Sequence, residues 1–137
     1  MYLLDTNVCI HLLNASDPIL IERFRSQRPT DLVLCSIVRA ELLWGARRSL
    51  RVEANLQRIK AFAAPLQALP FDDLCAEHYG IIRADLAAQG TPIGNNDTLI
   101  AAIARAHDAV LVTHNTKAFG RITGLRLQDW QKAAERT

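Results

Sequence analysis

The chain has 137 residues, half of them hydrophobic and 22% charged, with a formal net charge of +2. This balance suits one folded domain over residues 1–137, excludes a disordered chain, and is too even to name a charged partner. No apolar stretch approaches the ~20 residues that span a bilayer, and the start carries neither a basic segment nor a cleavage site. A cytoplasmic protein without a membrane partner is therefore expected. Cys9, Cys35 and Cys75 are odd in number, widely spaced and set among apolar residues, which reads as reduced core thiols.

In chain order, Tyr2–Leu4 is an apolar run suited to a buried strand, and a helix is expected from Thr6 to Asn14. Asp17-Pro18 is a helix start, with Asp at the N-cap and Pro in the first turn, leading into Ile19–Ser26. Leu32–Cys35 reads as a second buried strand, after which Ser36 can cap a helix. Residues Glu53–Ala64 place Leu56, Ile59 and Phe62 at helical spacing before Pro65. A short strand is expected over Leu66–Phe71. A helix over Asp73–Gln89 carries Tyr79, Ile82 and Leu86 on one face and stops at Gly90. Asn96–Ala106 is a further helix, Ala109–Val112 a third buried strand, and Arg126-Leu127 a last strand before a helical tail. Alternating strands and helices predict an α/β chain with a parallel sheet covered on both faces. Ligands of such sheets bind beyond the carboxyl ends of the strands.

Three acids stand out against this pattern. Asp5 ends the first apolar run, Glu41 interrupts an apolar helical segment, and Asp97 sits in the first turn of another helix. Asp5 alone reads as a helix cap, although Thr6 or Asn7 could cap equally well. Asp97 alone reads as a favourable first-turn charge, with Asn95 or Asn96 as the cap. Glu41 shares a helix face with Ile37 and Trp44, where a carboxylate needs a partner: an arginine such as Arg39 or Arg48, or a metal. Brought together, the three would repel one another until a cation neutralised them. Carboxylate donors with nearby amides and hydroxyls suit Mg²⁺ or Mn²⁺. The histidines form no H-x-x-x-H pair, and no phosphate-binding G-x-x-x-x-G-K-[ST] loop is present. Thirteen of the sixteen basic residues are arginine, and Arg39, Arg47, Arg48 and Arg51 crowd a stretch with Glu41 as its one acid. They read as a solvated helix face or as a local phosphate-binding patch.

Ordered motifs run nearly end to end: Leu4-Asp5-Thr6-Asn7, Ala40-Glu41-Leu42 followed by Gly45-Ala46, Leu69-Pro70-Phe71-Asp72, and Tyr79-Gly80 with Ile82-Arg83-Ala84 and Leu86. They continue through Gly90, Pro92-Ile93-Gly94, Asp97, Leu99-Ile100-Ala101-Ala102, Leu111-Val112-Thr113, Asn115, Gly124-Leu125 and Trp130. On these motifs the chain resembles the PIN-domain ribonucleases, specifically the VapC toxins of bacterial toxin–antitoxin pairs. The resemblance implies a three-layer α/β/α sandwich around a mainly parallel sheet. It implies Mg²⁺- or Mn²⁺-dependent cleavage of RNA, leaving 5′-phosphate and 3′-hydroxyl ends, with Asp5, Glu41 and Asp97 holding the metal. Thr6, Asn7, Ser36, Asn96, Thr113 and Asn115 are expected as polar supports of the pocket. A cognate VapB-type antitoxin, a homodimer and a higher assembly with the antitoxin follow from the same likeness, with tRNA the leading substrate. Many relatives carry a fourth acid at or just after the position of Asn115; this chain has none there, so one metal is expected firmly and a second only with RNA bound.

Two rivals remain open at this point. One is a non-catalytic PIN-like nucleic-acid-binding or scaffold protein, suggested by the missing fourth acid. The other is a structure-specific DNA nuclease that uses the same carboxylates.

Overall fold

A computed structural model describes residues 1–131. Strands β1 (Tyr2–Leu4), β2 (Leu32–Cys35), β3 (Gln67–Leu69), β4 (Val110–Val112) and β5 (Arg126–Gln128) form one sheet. Their order is β3-β2-β1-β4-β5, and every neighbouring pair is parallel. Between them run α1 (Thr6–Leu13), α2 (Pro18–Arg25), α3 (Ser36–Arg47), α4 (Val52–Ala63), α5 (Asp73–Ala88), α6 (Asn95–Ala106) and α7 (Thr116–Phe119).

The strand order explains the layers. From β1 the chain steps outward through β2 to β3, then returns across the sheet to β4 and β5. Parallel crossovers are right-handed, so reversing the direction of travel moves the connecting helices to the opposite face. Helices α1, α3 and α4 accordingly pack together, and α5 pairs with α6. The core is built from strand residues closed on both faces, among them Leu3, Leu34 and Leu111, and from Val38, Ile82, Ile100 and Ile103 on the helices, all buried. β1 and β4 are neighbours at the point where the direction reverses, with Leu4 beside Val112. The crevice beyond their carboxyl ends is where such folds place a ligand.

Local chemistry fixes the element ends. Asp17 caps α2 as expected, accepting the Leu20 amide at 3.1 Å with Pro18 in the first turn. Helix α5 closes at Gly90, whose φ of +70° lets Thr91 donate to the Leu86 carbonyl and Gly90 to that of Ala87. The three cysteines are buried and free, and burial pushes the Cys35 thiol up to about 11, which suppresses the reactive thiolate.

Several expectations need correction. Ser36 does not cap α3: Cys35 is the N-cap and makes no side-chain cap bond, because the Ser36 hydroxyl turns to the Leu69 carbonyl 3.5 Å away. Neither Asn95 nor Asn96 caps α6; Gly94 does, while Asn95 already begins the helix. The strand expected over residues 66–71 shortens to Gln67–Leu69. Helix α7 was not expected at all. The helical tail falls mainly in residues 132–137, outside the described residues.

Candidate active site

Asp5 follows β1 directly, and its amide continues the sheet by donating to the Val112 carbonyl at 3.1 Å. Its side chain turns back as the N-cap of α1, where Oδ1 accepts the Val8 amide at 2.8 Å. Asp5 itself is therefore the cap, and Thr6 does other work. The Thr6 hydroxyl donates to Glu41 Oε1 at 2.6 Å, tying the start of α1 to the middle of α3. Asp97 enters from the first turn of α6 and is half-buried.

Negative charge bears on two of these acids, Asp5 and Asp97. Burial pushes the Asp5 carboxyl above its ordinary value; hydrogen bonding from Thr113 and the Val8 amide opposes this, and the negative charges of Asp97 and Glu41 reinforce it. Burial and then Glu41 push Asp97 in the same direction. Only 7% of the Asp5 surface reaches solvent, and no cationic side chain bonds any of the three among the described residues. Carboxylates so placed hold their charge at a cost.

Glu41 stands out for a different reason than its helical neighbours suggested. Trp44 is 62% exposed, so the shared face is not an apolar interior. The arginine pairing is absent as well: the Arg48 guanidinium lies 3.9 Å from the centre of the Trp44 ring, and Glu41 takes its bond from Thr6.

The expected polar supports divide into groups. Thr113 is fully buried at the end of β4, and its hydroxyl accepts the Asn115 amide at 3.0 Å. Asn7 and Asn115 line a cleft of about 270 Å³ on the Asp5 side, together with His11, His114 and Gln131. Ser36 and Asn96 are exposed, Ser36 facing β3 through its bond to Leu69. Glu41 borders a separate, more apolar cavity of about 230 Å³ with Ile10, Leu13, Leu42, Gly45 and Arg58. Arg39, Arg47, Arg48 and Arg51 are all exposed on α3 and the turn after it. His11, His114 and Arg58 line these cavities without a local signal in the sequence. The histidines form no metal-binding pair in the sequence, and Arg58 lies 17 residues beyond Glu41 in the chain.

Among the described residues no three His, Cys, Asp or Glu side chains close around a single point. A ready-made cage of the zinc type is thus absent. Carboxylates pushed upward by burial and by neighbouring negative charge suit a hard cation that keeps several waters and takes one or two protein ligands. Asp5, Asp97 and Glu41 are the residues that would hold it.

Residues 2–125 match the family model of the PIN domain. Ribonuclease VapC1 of Haemophilus influenzae strain R2866 is 42% identical over 134 residues, covering 96% of this chain and 99% of the relative. The tRNA(fMet)-specific endonuclease VapC of Salmonella typhimurium is 40% identical over 129 residues, covering 94% and 97%. The structure of VapBC-1 from nontypeable Haemophilus influenzae matches with a TM-score of 0.88 at 41% identity, over 96% of this chain and 98% of that one.

Proposed function

The chain belongs to the VapC ribonucleases of the PIN-domain family, and from that premise we propose that it is a Mg²⁺- or Mn²⁺-dependent endoribonuclease toxin held in check by a VapB-type antitoxin. The observation that carries the metal-dependent part is the mutual electrostatic strain of Asp5, Asp97 and Glu41 at the carboxyl ends of β1 and β4.

The chemistry a divalent cation supplies in such a pocket is polarisation of a phosphoryl oxygen and activation of water for attack. The protein's part is to hold and orient. Thr6 fixes one Glu41 oxygen, the Val8 amide fixes one Asp5 oxygen, and Thr113 steadies Asp5 from β4. A scissile phosphate bound there would be cut to leave 5′-phosphate and 3′-hydroxyl ends. Arg39, Arg47, Arg48 and Arg51 stand ready on the surface for flanking phosphates. The substrate class we assign is tRNA, supported by the Salmonella relative's description as a tRNA(fMet)-specific endonuclease.

The antitoxin has a place to sit. Of the apolar residues on the early helices, Leu20 and Leu42 belong to the core, whereas Ile10, Ile19, Leu43 and Trp44 are exposed. Ile10 also lines the cavity that Glu41 borders. An apolar antitoxin segment laid there brings an arginine within reach of the acids, neutralising them in place of the cation. The solved Haemophilus relative is a VapBC assembly, which supports such a partner. A homodimer is supported by Leu74 and Ile81, exposed seven residues apart on α5, a spacing that places both on one face.

The deciding experiment incubates wild type, Asp5→Asn and Asp97→Asn with matched RNA and DNA hairpins and total tRNA in Mg²⁺ or Mn²⁺. Wild type should cut RNA, both variants should be inactive, and excess chelator should stop the reaction. Cleavage that persists in chelator or in both variants refutes the metal mechanism. Cutting confined to DNA would favour the DNA-nuclease alternative, and tight RNA binding without cutting would favour the scaffold.

A further inference from the structure

Resting on the nuclease reading, we propose that Trp44 and Arg48 together bind one nucleotide of the substrate RNA beside the acid pocket, the indole stacking on a base and the guanidinium holding a phosphate. Trp44 lies three residues after Glu41, and Arg48, the C-cap of α3, four residues after Trp44. These intervals put all three on one stripe of the helix. At the helical rise, Trp44 stands about 4.5 Å along the axis from Glu41. The stripe is not the one that serves the core, which is made by Val38, Leu42 and Ala46.

Trp44 is 62% exposed although the Arg48 guanidinium lies 3.9 Å from its ring centre, so one face of the indole is covered and the other meets water. A buried indole is among the largest apolar gains open to a chain, and this ring forgoes most of it. The stack also prepares the arginine. The N–H donors of a guanidinium lie in its plane, so stacking by its face fixes the group and leaves them directed outward. No ion pair among the described residues takes them up. Arg39, Arg47 and Arg51 are exposed on the same helix and the turn after it, with Glu41 the one acid in that stretch. This surround selects a polyanion, and an open aromatic face within it selects one that carries flat bases. Single-stranded RNA meets both conditions whatever its sequence. An antitoxin segment laid over the same surface would cover the indole, so the site is open to RNA in the free toxin.

The test follows binding of an RNA hairpin cut by wild type, across a salt series, with Asp97→Asn as the parent so that the RNA stays whole. Tryptophan emission is read beside the anisotropy of labelled RNA, Trp130 being only 3% exposed and out of reach of a base. Saturating RNA should quench the parent's emission, and adding Trp44→Ala should remove the quench and weaken Kd about tenfold. Trp44→Phe, which keeps a flat ring, should recover most of the affinity. Arg48→Ala should weaken binding and flatten the dependence of log Kd on log salt by about one phosphate contact. Melting temperatures should stay close to the parent's, since both side chains are exposed. An emission that RNA leaves unchanged, a Kd in Trp44→Ala within about twofold of the parent, or a full salt slope in Arg48→Ala overturns the proposal. Self-association lost in Trp44→Ala with RNA affinity untouched does so as well, and makes the surface a contact between copies. Absence of RNA cleavage by wild type overturns the nuclease reading and this proposal with it, whereas active wild type with an indifferent Trp44→Ala overturns this proposal alone.

Discussion

Asp5 meets two demands at one position, a helix cap and a pocket charge, and the two can be separated. Its Oδ1 accepts the Val8 amide at 2.8 Å, a bond that an asparagine carbonyl can also make. Asp5→Asn should therefore abolish cleavage while keeping the cap. Asp5→Ala loses both, and should unfold about 1 kcal/mol more easily than Asp5→Asn in urea. Equal stability of the two variants would show that the cap contributes nothing. The sequence showed why Asp5 could be a cap but not that it had to be, because Thr6 and Asn7 offered the same chemistry. What decides is the Thr6 hydroxyl, committed to Glu41 35 residues away in the chain. That tertiary bond has no local signature. The apolar face that makes Glu41 stand out in the sequence is a premise that fails, since Trp44 beside it is largely in solvent.

At the scale of elements, the sheet and its main helices were legible because each is a run of apolar residues bounded by polar punctuation. Helix ends were legible only where the residue type announced them. Gly90 did so, but Ala15 closes α1 in the same left-handed conformation, with φ of 49°, and Ser16 donates to the His11 carbonyl behind it. A methyl group there pays the steric cost of that region without returning a bond. Ala15→Gly is accordingly expected to stabilise the fold by up to about 1 kcal/mol, the relief exceeding the added freedom of the unfolded chain. A thermal or urea midpoint at or below wild type would contradict it. Helix α7 was not legible, since four residues are too few for a helical period to show. It is held instead by Phe119, 1% exposed, and by Gly120, where a Cβ would come within 2.5 Å of the Thr116 carbonyl. Phe119→Ala should cost about 3–5 kcal/mol as a buried aromatic lost from the core, read as a lower urea midpoint. A cost under about 1 kcal/mol would mean that α7 is not pinned by this side chain.

For the molecule as a whole, the topology concentrates unfavourable charge where the strand order reverses, and this fixes a pH signature. The convergence of the acids depends on the return from β3 to β4, which no local pattern reveals. Asp5 and Asp97 have folded-state carboxyls raised above their unfolded values by burial first, and then Asp5 by the charges of Asp97 and Glu41 and Asp97 by that of Glu41. The folded state therefore binds their protons more tightly than the unfolded one. In metal-free protein their destabilisation is complete above the raised values and is relieved as pH falls through them. Asp72 acts oppositely: hydrogen bonding to Cys75 holds its carboxyl low, so its contribution is lost as pH falls through that lowered value. Comparing Asp97→Asn with wild type isolates the pocket, since Asp72 is common to both. In chelator at pH 7–8 the variant should melt above wild type, and the gap should close as the pH is lowered through the raised carboxylate range. Added Mg²⁺ or Mn²⁺ at about a hundred times its Kd should stabilise wild type by about 2.7 kcal/mol and raise its melting temperature, with a much smaller effect on Asp97→Asn. A variant that melts with wild type at every pH and responds equally to the cation would mean that the acids are ordinary surface carboxylates, whatever RNA the protein cuts.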